Sequence, residues 1–167
     1  MSIKSYQLYL STLVTSPTSN NIVPIDISNK ANATWQVDFR SLFGNDMGKY
    51  RRCSVRVQLH SASWNATNTD ENTYDGYLTL SLPSTSSAST SKGVPVALMN
   101  PSLATYSTTP QSFYNVSTLG NVLGTDINMP SENQLLNIQV LNNDSFNTMA
   151  TMPDYQILIQ FELSDKI

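Results

Sequence analysis

Apolar residues recur at every second position in segment after segment, and no stretch of the chain sustains a helical period. Trp35, Val37 and Phe39 share one parity, with Gln36, Asp38 and Arg40 on the other. Cys53, Val55, Val57 and Leu59 alternate with Ser54, Arg56, Gln58 and His60 in the same way. The pattern returns as Leu78, Leu80 and Leu82, as Leu136, Ile138 and Val140, and at greatest length as Tyr155, Ile157, Ile159, Phe161 and Leu163. A period of two sends successive side chains to opposite faces of a strand, so each segment can bury one face and wet the other. Repeated along the chain, it predicts an all-β sandwich of about eight antiparallel strands in two face-to-face sheets.

A chain of 167 residues is one domain by length and long enough to bury a core without covalent staples. Its strands are expected at Tyr6–Leu10, Ala33–Phe39, Arg52–Ser63, Tyr74–Leu82, Leu135–Leu141 and Asp154–Leu163, with a short extended piece at Ile22–Ile27. Ser41–Phe43 has room for one helical turn before the glycines Gly44 and Gly48. Val94–Met99, Leu103–Ser107 and Gln111–Val116 read as short strands that Pro95, Pro101 and Pro110 confine to edges or loops. Leu119–Ile127 reads equally as loop or irregular strand. The segment from Pro83 to Gly93, PSTSSASTSKG, is polar and of low complexity, and reads as a loop at one end of the sandwich. Long connections between strands favour a jelly-roll over a meander, giving a single jelly-roll domain across residues 1–167.

Charged side chains form only 13% of the chain. Asn, Ser and Thr take their place at about a third of all positions. Such a surface is solvated by neutral hydrogen bonding and repels its own copies weakly. A net charge of -3 offers nothing to a nucleic acid, which calls for a basic stripe. The run Lys49, Tyr50, Arg51, Arg52 is too short to supply one and reads as a charged strand end facing solvent. No apolar run reaches membrane-spanning length, and the opening MSIKSYQLYLSTLVTSPTSN lacks the apolar core of a secretory signal. The sequons at Asn32, Asn65, Asn115 and Asn143 are matches that chance supplies readily in so Asn-, Ser- and Thr-rich a chain.

The residues that chemistry would need are sparse. The single cysteine, Cys53, excludes an intrachain disulfide and has the apolar parity of its strand, so it reads as a small buried hydrophobe rather than a reactive thiol. The single histidine, His60, has the opposite parity, which argues against a Cys–His pair and for a surface or interface position. No nucleophile elbow or Gly-rich phosphate loop is present. Asp70, Glu71 and Asp75 gather oxygen ligands in one loop without the spacing of a calcium motif, so a solvated acidic turn is the simpler reading. Glu132 and Glu162 or any of the Asp residues could be nominated for a glycosidase, but nothing in the sequence selects a pair. Trp64, Tyr74, Tyr106, Phe113 and Tyr114 lie in or near predicted loops, where they serve either as end caps of the core or as stacking platforms for a sugar. No residue is therefore nominated as catalytic, cofactor-binding or metal-binding, no cofactor is expected, and the chain is not expected to be an enzyme.

The opening SYQLYLST, the polar turn-rich segment after it, ATWQVDFRSLF, and YRRCSVRVQLHSAS together resemble the start of the small single jelly-roll capsid proteins of large double-stranded DNA viruses. There a short strand leads into an aromatic-centred strand ending in a D-F-like pair, followed by a Cys- or Val-rich alternating strand. The closing DYQILIQFEL fits the same pattern. The resemblance covers roughly the first 65 residues and the last 14. It implies a structural virion protein, either a minor capsid protein or, for so compact a chain, the pentameric penton at icosahedral vertices. Implied partners are further copies of the chain and the neighbouring major and minor capsid proteins, with assembly in the host cytoplasm and no membrane insertion. A carbohydrate- or receptor-binding sandwich, such as a spike or fibre head or a lectin-like module, is the alternative. An enzyme on a jelly-roll scaffold, against which the lack of a catalytic cluster argues, is a third class, because sandwiches host all three functions.

Overall fold

A computed structural model describes residues 2–15, 21–64, 76–82, 94–99, 111–113, 116–118, 125–142 and 154–167. They form eleven strands, one α-helical turn and one 3-10 turn: β1 (Lys4–Ser11), β2 (Ile22–Asp26), β3 (Asn32–Asp38), α1 (Phe39–Phe43) with the 3-10 turn Gly44–Asp46 after it, β4 (Tyr50–Trp64), β5 (Gly76–Ser81), β6 (Val94–Met99), β7 (Gln111–Phe113), β8 (Val116–Thr118), β9 (Thr125–Ile127), β10 (Asn133–Asn142) and β11 (Tyr155–Lys166). One sheet, here sheet A, runs β1-β11-β4-β7, with β9 also paired to β4. The other, sheet B, runs β2-β3-β10-β5-β6-β8. Every pairing is antiparallel.

Eight strands carry the jelly-roll order. In sheet A, β1 lies beside β11, then β4, then β9; in sheet B, β3 lies beside β10, then β5, then β6. The chain crosses from β3 to β4, from β4 to β5, from β6 to β9, from β9 to β10 and from β10 to β11, changing sheet each time. Two Greek keys wound this way make a jelly-roll sandwich. The short strands β2, β7 and β8 extend the sheets at their margins.

The alternating residues fill the space between the sheets. Leu8, Leu10, Val55, Val57, Ile157, Ile159 and Leu163 from sheet A are buried with Ala33, Trp35, Val37, Leu80, Leu136, Ile138 and Val140 from sheet B. At one end α1 closes the core. Asp38 caps it, its carboxylate accepting from the Ser41 amide at 3.1 Å and from the Ser41 hydroxyl at 2.7 Å, which holds the Asp38 carboxyl below its ordinary value. The turn delivers Phe39 and Phe43 inward, where both meet Phe161 edge-on with centroids 5.5 and 5.8 Å away. Gly44 ends the turn at φ 55°, a conformation that favours glycine. The Tyr6 hydroxyl donates to Asp46 Oδ2 at 2.5 Å and approaches the Phe43 carbonyl at 3.2 Å, tying β1 to this end.

Three expectations need correction or qualification. Gln111–Val116 is not one strand: Gln111–Phe113 pairs with β4 in sheet A, while Val116–Thr118 pairs with β6 in sheet B. Pro95 does not make β6 an edge, since β6 is paired with both β5 and β8. The proline is accommodated because the β8 ladder spans only Ala97–Met99 and a register shift beside Pro95 relaxes the β5 ladder. Leu119–Ile127 resolves into β9 at its end. The expected strand at Leu103–Ser107 and the loop at 83–93 lie outside the described residues.

Candidate interaction surfaces

Cys53, paired with Ile127 of β9, is 1% exposed, and burial pushes its thiol up to about 12, with Asp126 adding to the rise. His60 lies seven residues further along β4, roughly 23 Å away at strand rise. In the ladder to β11, Leu59 pairs with Ile157 and Ser61 with Gln156, so His60 is the extra residue of a β-bulge. Its side chain lies outside the described residues, as do those of Trp64 and Phe113. Asp70, Glu71, Tyr74, Asp75, Tyr106 and Tyr114 lie wholly outside them, as do the sequons at Asn65, Asn115 and Asn143. Asn32 is exposed at the start of β3.

Of the carboxylates, Glu132 and Glu162 are positioned by different sheets. Glu132 precedes β10 in sheet B and pairs with Arg40 at 3.0 Å, while the Arg40 amide also donates to the Glu132 carbonyl. Glu162 lies on β11, on the outer face of sheet A, with Arg56 at 3.6 Å. The basic run is divided by burial: Tyr50 is 4% exposed, and Arg52 pairs with Asp126 at 2.6 Å and Asp165 at 3.9 Å. Among the described residues no three His, Cys, Asp or Glu side chains gather as a metal site, and no helix is long and apolar enough to cross a membrane.

The outer faces of the sheets are the remaining surfaces. On sheet A, the register sets Gln7 opposite Gln160, Tyr9 opposite Leu158, and Gln160 opposite Arg56. The Tyr9 hydroxyl donates to Gln156 Oε1 at 2.5 Å across the two strands. The margin of sheet A at β1 is a full eight-residue strand, with Ile3 before it and Leu13 and Val14 after it exposed at 51%, 61% and 37%.

On sheet B, β3 and β10 pair so that Asn137 lies opposite Thr34, and Gln139 opposite Asn32. With Ser81 of β5 and Leu135 these residues line a shallow depression of about 440 Å³. Asn137 Nδ2 donates across the strands to Asn32 Oδ1 at 2.7 Å and Thr34 Oγ1 at 2.9 Å, and contacts the Ala33 carbonyl at 3.2 Å. Beyond it, Thr79 and Leu141 have outward parity yet are fully buried, so the depression ends against a covered part of the face. Single-sequence reading missed this site. Its residues occupy the polar parity of their strands, which the alternation assigns to solvent without further distinction, and the one signal was Leu135 interrupting that parity.

Comparison with known protein families and with curated proteins finds no match to this chain.

Proposed function

We propose that this chain is a structural virion protein: a single jelly-roll capsid subunit that assembles as a ring of five at icosahedral vertices. The observation that carries the reading is the strand order, β1-β11-β4-β9 against β3-β10-β5-β6, together with the capsid-like pattern of its first and last strands. The surface supports it. With 13% charged residues, neighbouring copies meet little electrostatic repulsion, and a closed ring uses the same two complementary patches in every copy. The margin at β1, flanked by Ile3, Leu13 and Val14, supplies apolar area for one such patch. Its partners are further copies of itself and the surrounding capsid proteins.

Native mass across a range of concentrations tests the proposal. A ring of five weighs five times 18.5 kDa, about 92 kDa. A trimer points instead to a spike or fibre head, and a persistent monomer removes the ring as the unit of function.

A further inference from the structure

We infer that the depression on the outer face of sheet B is a binding site for a neutral saccharide, independently of the assembly state of the chain. Among the described residues its lining, Asn32, Thr34, Ser81, Leu135, Asn137 and Gln139, holds no charged side chain, which disfavours anionic and cationic ligands alike. Its hydrogen-bonding capacity is mixed and only partly used. Asn32 and Thr34 each accept from Asn137, which leaves the Asn32 amide hydrogens and the Thr34 hydroxyl hydrogen to donate. Asn137 Oδ1 takes no bond among the described residues and is left to accept. A ligand hydroxyl that takes up these donors and this acceptor replaces the water that otherwise serves them.

Sugar hydroxyls both donate and accept, so they match donors and acceptors that alternate over a few ångströms. The C–H face of a pyranose needs an apolar contact, and Leu135, 46% exposed within an otherwise polar surface, offers one. A volume of about 440 Å³ suits one or two sugar rings. The cross-strand bonds of Asn137 hold the lining in place before any ligand arrives, which lowers the ordering cost of binding.

Saturation-transfer NMR on the full chain tests this with lactose, maltose and N,N'-diacetylchitobiose as neutral probes. Sialyllactose serves as an anionic probe and a Gly-Ser-Asn peptide as a neutral non-sugar. At least one neutral disaccharide is expected to bind with a Kd on the order of 1 mM. Asn137→Leu should weaken it by about tenfold or more, and the near-isosteric Thr34→Val by about threefold or more. Gln36→Ala, whose side chain bonds Asn133 outside the depression, should leave binding unchanged. Melting curves confirm that each variant is folded; should Asn137→Leu not fold, Thr34→Val alone decides. Failure of every neutral saccharide to bind, equal binding by the lining variants, or preference for the peptide or the anionic sugar overturns the assignment.

Discussion

Two buried or half-buried tyrosines make the hydrogen-bond accounting of this core explicit. The Tyr6 hydroxyl serves Asp46 and the Phe43 carbonyl, whereas the Tyr155 hydroxyl is buried without a partner among the described residues. Removing the first breaks a bond to a carboxylate; removing the second relieves a desolvated group. Tyr6→Phe should therefore cost about 1–2 kcal/mol, and Tyr155→Phe should be neutral or stabilising by up to about 1 kcal/mol, read as opposite shifts of the urea midpoint. Two midpoints moving down together would contradict this account. Desolvation raises the Tyr155 hydroxyl and lifts the Tyr6 hydroxyl from 10.0 to about 12, Asp46 adding to the rise for Tyr6; burial lifts the Cys53 thiol from 9.0 to about 12. Each folded value lies above the unfolded one, so as pH rises the unfolded chain loses its protons first. Stability contributed by these groups is whole below about pH 8.5 and falls progressively as pH climbs through about 12. Urea midpoints taken at about pH 8 and about pH 10.5 should show the decline. The Cys53 thiol should also resist an aromatic disulfide reagent at the lower pH until the chain is unfolded. Immediate reaction of the folded protein would show that the thiol is accessible.

Among the elements, β4 shows both the reach and the limit of reading alternation. From Cys53 to Val57 the parity of the sequence matches the buried parity of the strand, since each residue has a single partner on β11. At His60 the count breaks: the bulge adds one residue, so Ala62 rather than Ser61 comes to lie opposite the buried Tyr155. Period-two patterning cannot foresee that shift, because a bulge is a feature of the pair and not of one strand. Leu141 and Thr79 escaped for a related reason, being buried on the outward parity where burial depends on what lies over the sheet. Phe39 was legible as an apolar residue but not as the start of α1, whose capping by Asp38 is local chemistry. The sheet B depression was illegible because it depends on which polar residues of β3 and β10 come into register. Register gives the strand its test. Deleting His60 removes the bulge and leaves Leu59 opposite Ile157 and Ala62 opposite Tyr155, so the fold should survive. Deleting Arg56 turns Val55 and Cys53 outward or breaks their pairing, and should abolish cooperative unfolding. Circular dichroism melts of the two deletions distinguish these outcomes, and equal damage from both would contradict the register.

At the scale of the whole molecule, the scarcity of charge would govern how copies meet in the proposed ring. A net charge of -3 spread over 167 residues creates little long-range field. The ion pairs Arg40–Glu132 and Arg52–Asp126 are more than half exposed on every side chain, where salt screens them and their contribution to stability is small. An interface built from such a surface must draw on apolar contact and neutral hydrogen bonds, neither of which a Debye atmosphere weakens. Raising salt from about 0.05 M to about 1 M shortens the screening length from about 14 Å to about 3 Å. If the ring of five forms as proposed, its dissociation constant should change by less than about threefold across that range, whereas charge-driven association of comparable strength would weaken by about tenfold or more. Acidification acts differently. Near pH 4.9 the net charge vanishes, and any remaining repulsion between such proposed rings would vanish with it. Rings should then stay intact but cluster, visible as a solubility minimum with an unchanged native mass in the supernatant. Loss of the ring at that pH would show instead that ionised carboxylates belong to its interface.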